Sequence, residues 1–402
     1  MIAALSGVES TRPRTRFRFP QEHRYFMKIR LVVPDVNAHP TERPRRCRYC
    51  GEPCLHRHGS VPKPVRDHKL AEATACRYKC TSCGRTFRHY PSGLTHKDQS
   101  QRTLVLAALM YALGLSCSAA SHLLRALGAE VCKMSVWRDA QEAGEALRES
   151  RPTGRARIMA ADETVFKLKG EEVVVGFVVD GVSGETLGFD VLFEGEGRAF
   201  REWLEPYARA MGSEVLVSDG NGSYSVAAAE LGLSQQLCIA HVRKYVTKRS
   251  NSILEQAEKE WDERDEKLGK LKEDLRELKE LLKGLPEEGG KRIGRLHGGY
   301  LWAAPPTRKG QQTKGATAAY RMRLLTLKLW NEWNKIRLHL ARPELELDGT
   351  NNASERSIGK SKVRYKTMRG YKSIGGMKNG VALTQWLYSG ADEHDLAEEM
   401  AA

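Results

Sequence analysis

Two aspartates in the middle of the chain have surroundings typical of a site for phosphate chemistry. Asp162 lies in the first of three β-rich runs, and Asp219 ends a fourth, short apolar run. If the first and fourth strands are neighbours in one sheet, the carboxylates converge, and a divalent cation between them relieves their repulsion. Such a site activates an attacking oxygen and stabilises a leaving oxygen on phosphorus. Both could equally be ordinary strand-end acids, with Glu163 and Asp180 as competing candidates.

A third acid, Glu355, lies among cations near the C-terminus. Thr350 or Asn351 can cap a helix, so Glu355 falls in the first turn of that helix. A single carboxylate surrounded by cations suits an acid that holds a metal beside a phosphate-binding surface. The alternative is a capping-region Glu on a basic helix. The cations predicted to bind DNA phosphates are Arg356, Lys360, Lys362, Arg364, Lys366 and Arg369.

A mixed sheet must position the two aspartates. The three β-rich runs span Ile158–Leu168, Glu171–Asp180 and Thr186–Phe193, and turn-like KGEE and GVSGE separate them. A helix from about Arg198 to Met211 and the strand EVLVSD follow. The predicted order is therefore strand, strand, strand, helix, strand.

Two Cys-x₂-Cys pairs near the N-terminus have metal-ligand spacing. Each pair places two thiolates on a tight turn, and four thiolates satisfy tetrahedral Zn²⁺. We predict a structural zinc ribbon, in which Cys54 and Cys76 are spare thiols able to compete as ligands. The alternative is a set of reduced cysteines without a metal. The predicted ligands are Cys47, Cys50, Cys80 and Cys83.

Residues 99–148 are predicted to form three helices. Ser118 is a plausible N-cap for the second helix, and the third begins near Ser135. A helix, a short turn and a helix with polar and basic residues at its front resemble a helix-turn-helix. In that arrangement Ser135, Trp137 and Arg138 face DNA. The alternative is a plain helical domain with Trp137 in its core.

Apolar residues recur by sevens between Ile253 and Leu282, which predicts a long heptad helix. This helix could pair with a partner subunit or fold back on a second helical run, Ala318–Leu340. The basic, Gly-rich segment between the two runs could follow a DNA backbone or form a loop.

The composition indicates a DNA-binding protein with several domains. The 402 residues exceed one ordinary core, and 65 Lys and Arg against 50 Asp and Glu give a net charge of +15. That surplus favours a polyanion such as nucleic acid. No apolar run reaches the roughly 18 residues of a membrane span, and the N-terminus lacks the apolar core of a secretory signal. We expect a cytoplasmic, nucleoid-associated protein without membrane contact.

Four motifs together resemble the DDE transposases of bacterial and archaeal insertion sequences. They are Asp162 in the first strand, SDG with Asp219, CIAH at Cys238–His241, and TNNASER with Glu355. The resemblance covers roughly residues 40–390 and includes the ribbon and the helix-turn-helix. TNNASER is its most specific motif. The Cys-x₂-His pair resembles that of transposases with a helical insertion before the last acid.

The resemblance implies an enzyme that binds the terminal inverted repeats of its own element, cuts the DNA strands and joins the freed 3′-OH to target DNA. Asp162, Asp219 and Glu355 would hold two Mg²⁺ or Mn²⁺ ions. Cys238 and His241 would brace the site, or His241 would touch the scissile phosphate. Double-stranded DNA is the expected partner, bound by a homodimer. Rival readings are a DNA-binding regulator or domesticated transposase without cleavage, and a structure-specific nuclease.

The implied architecture is α/β and multidomain, with an RNase H-like catalytic core, an all-α insertion, and a preceding zinc ribbon and helix-turn-helix. The expected divisions are residues 1–40, a basic arm; 41–95, the ribbon; 96–150, the helix-turn-helix; 151–245, the first part of the core; 246–345, the helical insertion with its heptad helix; 346–390, the part of the core with the last acid; and 391–402, an acidic tail.

Overall fold

The computed structural model describes residues 30–149, 155–192, 197–306, 316–368, 370–389 and 395–400. Most of the predicted arm, Arg369 and part of the acidic tail therefore lie outside the described residues. The described part is a mixed α/β protein with one three-stranded and one five-stranded sheet, as the sequence predicts. None of its helices is long and apolar enough to span a membrane.

The N-terminal sheet is a small antiparallel ribbon. Its strands are β1 Leu55–Pro64, β2 Glu72–Cys80 and β3 Thr86–His89, paired in that order. One Cys-x₂-Cys turn precedes β1, and the other joins β2 to β3. A separate apolar cluster that includes Leu55, Tyr78 and Phe87 fills the ribbon.

Three helices follow the ribbon: α1 Gln101–Ala112, α2 Cys117–Ala126 and α3 Lys133–Glu149. The N-cap of α2 is Ser116, whose hydroxyl accepts a hydrogen bond from the amide of Ala119 at 3.1 Å. The predicted N-cap, Ser118, is therefore wrong by two positions. The third helix starts two residues before Ser135.

The five-stranded sheet has the strand order β6-β5-β4-β7-β8. The first three of these strands are antiparallel neighbours, whereas β7 and β8 run parallel to β4. The predicted contact between the first and fourth strands is therefore present, and β8 is a strand that the sequence analysis missed. The elements are β4 Ile158–Leu168, β5 Glu171–Asp180, β6 Thr186–Leu192, α4 Gly197–Met211, β7 Val215–Ser218, α5 Gly222–Glu230 and β8 Ser234–Leu237.

A helical excursion separates β8 from the last part of the core. The prediction of a single heptad helix over 253–282 is wrong. One helix ends at Glu260 and another begins at Glu266, where the Asp265 side chain caps it. The heptad leucines are buried against helices of the same chain, which is the fold-back alternative. The helices are α6 Ile239–Glu260, α7 Glu266–Gly284, α8 Gly289–Gly298, α9 Ala318–Ile336 and α10 Leu338–Ala341.

The C-terminal helices return to both earlier parts of the chain. They are α11 Asn352–Lys366, α12 Ile374–Leu387 and α13 Leu396–Glu399. Helix α11 lies on one face of the five-stranded sheet, and α4 and α5 lie on the other. Leu383, Leu387 and Leu396 share one buried cluster with Val105 of α1 and Ala140 of α3. The N-terminal helices thus form a common core with the C-terminus.

Candidate active site

Asp162 lies in β4, and Asp219 directly follows the neighbouring parallel strand β7. Ala160 of β4 pairs with Val217 of β7, so two further residues along the chain on each side bring Asp162 level with Asp219, just beyond the end of β7. Side chains two residues apart in a strand share a face of the sheet. Asp162 therefore lies on the same face as Ala160, and the prediction that these two acids come together agrees with the strand register.

Helix α11 covers this face and carries Glu355. Its residue Ala353 packs in one buried cluster with Ala160 and Val217, and Glu355 lies one half-turn further, in the first turn of the helix. The Glu355 carboxylate oxygen lies 3.8 Å from Nε2 of His241 on α6. The long excursion thus returns the third acid to the strands that hold the other two.

The electrostatics of Asp162 reflect this convergence. Burial raises the pKa of Asp162, and the negative charges of Asp219 and Glu355 raise it further. His241 and the amide of Glu163 act in the opposite direction. The carboxylates do not close into a tight cluster. Among the described residues, the group whose metal-ligating atoms all lie within 4.8 Å of one another is the cysteine quartet.

Asn351 and Cys238 fix the start of α11 against the sheet. The buried Asn351 side chain donates to the carbonyl of Ala161 at 2.9 Å, and its backbone amide donates to the Cys238 thiol at 3.3 Å. The amide of Cys238 in turn donates to the carbonyl of Ser218 at 2.8 Å. These contacts reach the residues immediately before Asp162 and Asp219. The sequence analysis considered Asn351 only as a helix cap, because its partner is 190 positions away.

The two competing acids face elsewhere. Glu163 points to the opposite face of the sheet, where it accepts a hydrogen bond from the hydroxyl of buried Tyr224 at 2.7 Å. Burial raises the pKa of Glu163, although the hydrogen bond from Tyr224 opposes this shift. Asp180 ends β5 opposite Met159 and accepts from the amide of Val182 in the following turn. Neither is aligned with the face that carries Asp162.

The four predicted cysteines lie together at the tip of the ribbon. The thiols of Cys47 and Cys83 are 3.7 Å apart, and those of Cys50 and Cys80 are 3.6 Å apart. Four sulfurs at about 2.3 Å from a tetrahedral zinc would be separated by about 3.8 Å, so the cluster is compatible with Zn²⁺. Hydrogen bonds from the amides of Cys83 and Ser82 help to lower the pKa of Cys80 to about 6, which favours the ligating thiolate.

The spare thiols are not part of this quartet. Cys76 is buried in the apolar cluster of the ribbon, and Cys54 is exposed before β1. The charge of the ribbon is strongly one-sided, because residues 41–95 hold twelve Lys and Arg against four acids.

The residues predicted to contact DNA on α3 lie at the surface or close to it. Trp137 is exposed, and the alternative that it belongs to the core is wrong. Arg138 is also exposed, whereas Ser135 is half-buried.

One of the cations predicted on α11 is buried. The Arg364 side chain is 4% exposed, its guanidinium lies 4.1 Å from the ring centroid of Tyr111, and it donates to the carbonyl of Gly114 and to the hydroxyl of Thr367. The prediction that Arg364 binds phosphate is therefore wrong, because packing on α1 takes its charge out of reach. Arg356 and Lys366 are exposed, Lys360 and Lys362 are half-buried, and Arg369 lies outside the described residues.

Comparisons with known proteins give one family match. The sequence profile of the Transposase IS66 family matches residues 100–379. The search of curated proteins found no match.

Three solved structures resemble the chain weakly. The catalytic core of BIV integrase has 12% identity over 43% of this chain and 83% of that chain, with a TM-score of 0.18. A simian T-cell lymphotropic virus intasome with PP2A regulatory subunit B56 gamma has 16% identity over 38% of this chain and 59% of that chain, with a TM-score of 0.20. The Drosophila P element transposase strand transfer complex has 13% identity over 73% of this chain and 79% of that chain, with a TM-score of 0.28. TM-scores of this size carry no argument about the present site.

Proposed function

This chain belongs to the IS66 transposase family, and from that premise we propose that it cuts DNA at the ends of its own mobile element and joins the freed 3′-OH to target DNA. The observation that best supports this chemistry is the pairing of β4, which carries Asp162, with parallel β7, which Asp219 directly follows, under the helix that carries Glu355. The strand order β6-β5-β4-β7-β8 supports the RNase H-like assignment of the core.

The three carboxylates fit a site for two hard divalent cations, Mg²⁺ or Mn²⁺. Carboxylate oxygens are the ligands such ions prefer, and the charges of Asp219 and Glu355 already disfavour ionisation of Asp162. When bound, two such ions activate the attacking oxygen and stabilise the leaving oxygen of a phosphodiester. The protein supplies the ligands and fixes their positions, and no covalent link between protein and DNA is required.

Neighbouring residues hold this site in place. Asn351 and Cys238 anchor the start of α11, and with it Glu355, to the strands that carry the aspartates. His241 is close enough to Glu355 to orient its carboxylate or to contact the scissile phosphate. These are positioning roles, in which geometry set by remote segments determines how the substrate meets the carboxylates.

Basic surfaces supply the binding of double-stranded DNA. The ribbon carries the largest local surplus described above, and a structural zinc ion held by its four cysteines would order it. Arg356 and Lys366 extend a cationic surface from Glu355 along α11, and Lys360 and Lys362 lie between them. Trp137 and Arg138 of α3 are available to DNA in a helix-turn-helix arrangement. Two ends must be brought together, so we propose a homodimer on DNA.

An Asp219→Asn variant tests the chemistry. With Mg²⁺ and DNA that carries the candidate terminal repeats, the unaltered chain should give nicks with 3′-OH ends and joined products. We expect Asp219→Asn to lower the cleavage rate by at least about a hundredfold, since loss of even a supporting group of a metal site costs about 10–100-fold. DNA affinity should persist.

Asp180→Asn is the matched control, because Asp180 is a strand-end acid of the same sheet outside the aligned face. Unchanged cleavage by Asp219→Asn would contradict the proposed site. Binding without any cleavage by the unaltered chain would favour a regulator, and cleavage without joining would favour a nuclease.

A further inference from the structure

The helical excursion contains a segment with an extreme charge bias. Residues 289–331 hold nine Lys or Arg and no Asp or Glu. Helix α8 and most of α9 belong to this segment. On α8, the exposed Lys291 and Arg295 lie one turn apart and form no ion pair within the described part of the chain. Within the described residues, no acidic side chain therefore neutralises these two charges.

Two exposed indoles lie beside α8, one in the turn after its end and one on the neighbouring helix α9. Trp302 is 65% exposed, and its Nε1 donates to the carbonyl of Gly299 at 2.9 Å, just beyond the end of α8. Trp330 of α9 is 47% exposed and packs against Gly294 and the ring of buried His297, to which its own ring is tilted by 40°. Such large rings are normally buried, as is Trp333 of α9, which is 3% exposed.

The backbone at Gly298, the last residue of α8, is exposed and open. No atom beyond its immediate chain surroundings lies within 4 Å of where a Cβ would stand at Gly298. Glycine at such a position lets a ligand approach the helix closely. Lys291, Arg295 and Gly298 recur at helical spacing and share one side of α8, and Trp302 follows four residues after Gly298, in the turn beyond the helix.

We propose that this surface, which comprises Lys291, Arg295, Gly298, Trp302 and Trp330, binds unpaired bases of single-stranded DNA. Indoles with adjacent cations bind single strands because every base offers a face for stacking and every nucleotide a phosphate. A second copy of the chain is a poorer occupant, because this acid-free segment would then face its own like charge. The inference rests on the proposed function in taking DNA as the substrate, and it adds a place for strands that cutting leaves unpaired.

The test measures fluorescence anisotropy of a fluorescein-labelled 15-mer of thymidine with the full-length chain, without divalent metal. Loss of one stacked base costs about fivefold to a hundredfold in affinity. We expect Trp302→Ala and Trp330→Ala each to weaken binding by at least about fivefold on that basis. Trp302→Phe should retain most of the affinity, because phenylalanine keeps a stacking face. A duplex of the same length should be affected much less.

Leu324→Ala is the control, since Leu324 is exposed on α9 but lies six residues from Trp330 and thus on another side of the helix. Equal affinity of both Trp→Ala variants and the unaltered chain would overturn the inference, as would a loss of self-association with unchanged DNA affinity. Thermal unfolding checks that the variants fold. Asp219→Asn should bind the 15-mer normally, so failure of the proposed cleavage chemistry is read separately from failure of this surface.

Discussion

Asn351 connects the two halves of the candidate site. Its side-chain Nδ2 donates to the carbonyl of Ala161, the residue before Asp162, and its backbone N–H donates to the Cys238 thiol. Ser354 donates to its side-chain oxygen at 2.5 Å, so every polar atom of the Asn351 side chain has a role at a buried position. The position of Glu355, four residues further, depends on this anchor.

We expect Asn351→Ala to lower metal-dependent cleavage by about 10–100-fold, because displaced supporting groups weaken metal sites by that factor. The carbonyl of Ala161 loses its donor, which should lower the free energy of unfolding by about 1–3 kcal/mol. Cleavage assays and calorimetric Mn²⁺ titration measure the first effect, and urea unfolding measures the second. Asn352→Ala, at the exposed neighbouring position, should change neither. Normal Mn²⁺ affinity in Asn351→Ala would contradict a positioning role.

The residues differ in how far the sequence alone identified them. The cysteine quartet was predictable, because a tight turn fixes the geometry of each Cys-x₂-Cys pair locally. The shared catalytic role of Asp162 and Asp219 stays a prediction, but the contact between β4 and β7 was predictable from the order of elements. Arg364 was not, because nothing local distinguishes a cation that stacks on Tyr111 from one that meets DNA. Burial of a charge is decided by a partner about 250 positions away.

At the scale of elements, one buried ion pair links the ribbon to α1. Asp67 follows β1, and its carboxylate accepts two hydrogen bonds from the Arg102 guanidinium at 2.7 and 3.0 Å and one from the Ser100 hydroxyl at 2.6 Å. Both charged side chains are buried. The same Ser100 caps α1, so the start of the helix and the base of the ribbon share one network.

We expect Asp67→Asn to lower the free energy of unfolding by about 3–5 kcal/mol, because it leaves the Arg102 charge buried without its partner. Denaturant unfolding at neutral pH measures the loss. Glu130→Gln is the control: its carboxylate meets Arg125 at 3.2 Å with both side chains more than half exposed, and such pairs contribute at most about 1 kcal/mol. A loss no greater than that of the control would contradict the role of the network.

The same carboxylate predicts a dependence on pH. Burial opposes ionisation of Asp67, but hydrogen bonds from Arg102, Ser100 and the amide of Lys69 outweigh it and lower the pKa from 3.8 to about 2. The stabilisation is therefore complete above pH 3.8 and is lost as the pH falls towards 2. Unfolding free energies of the unaltered chain should fall more steeply across that interval than those of Asp67→Asn. Parallel curves would show that Asp67 does not contribute.

The heptad region and strand β8 were predicted incompletely from the sequence pattern. The heptad repeat correctly marked a buried face, since Leu268, Leu271 and Leu278 are all in the core of the excursion. It did not reveal the break before Asp265, because the apolar spacing continues across the capping site. Strand β8 escaped notice because its sequence, SQQL, has little apolar alternation. Both of its glutamines are buried and hydrogen-bonded: Gln236 to the backbone of Ile336 and His339, and Gln235 to the side chains of Ser218, Ser225 and Lys335.

At the scale of the whole molecule, the described part of the chain has several apolar cores, and only some of them include residues from the C-terminal helices. The excursion and the two faces of the sheet have clusters of their own. The N-terminal helices cannot be separated from α12 and α13, with which they share a core. In the described part of the chain the ribbon has two small clusters, one around Tyr78 and Phe87 and one around Val65, Ala73 and Leu94, which is too little apolar surface to order it without further help.

Zinc removal should therefore unfold the ribbon selectively. We expect about one zinc ion per chain by atomic spectrometry, and Cys80→Ser should lose it because three thiolates leave the tetrahedral set incomplete. In hydrogen exchange, amides of β1, β2 and β3 should then lose protection while those of β4 and β5 keep theirs, since metal binding is coupled to folding of the small domain alone. Cys54→Ser, at an exposed cysteine outside the quartet, should retain both metal and protection. Loss of protection throughout the sheet after zinc removal would instead mean that the ribbon and the catalytic core fold as one unit.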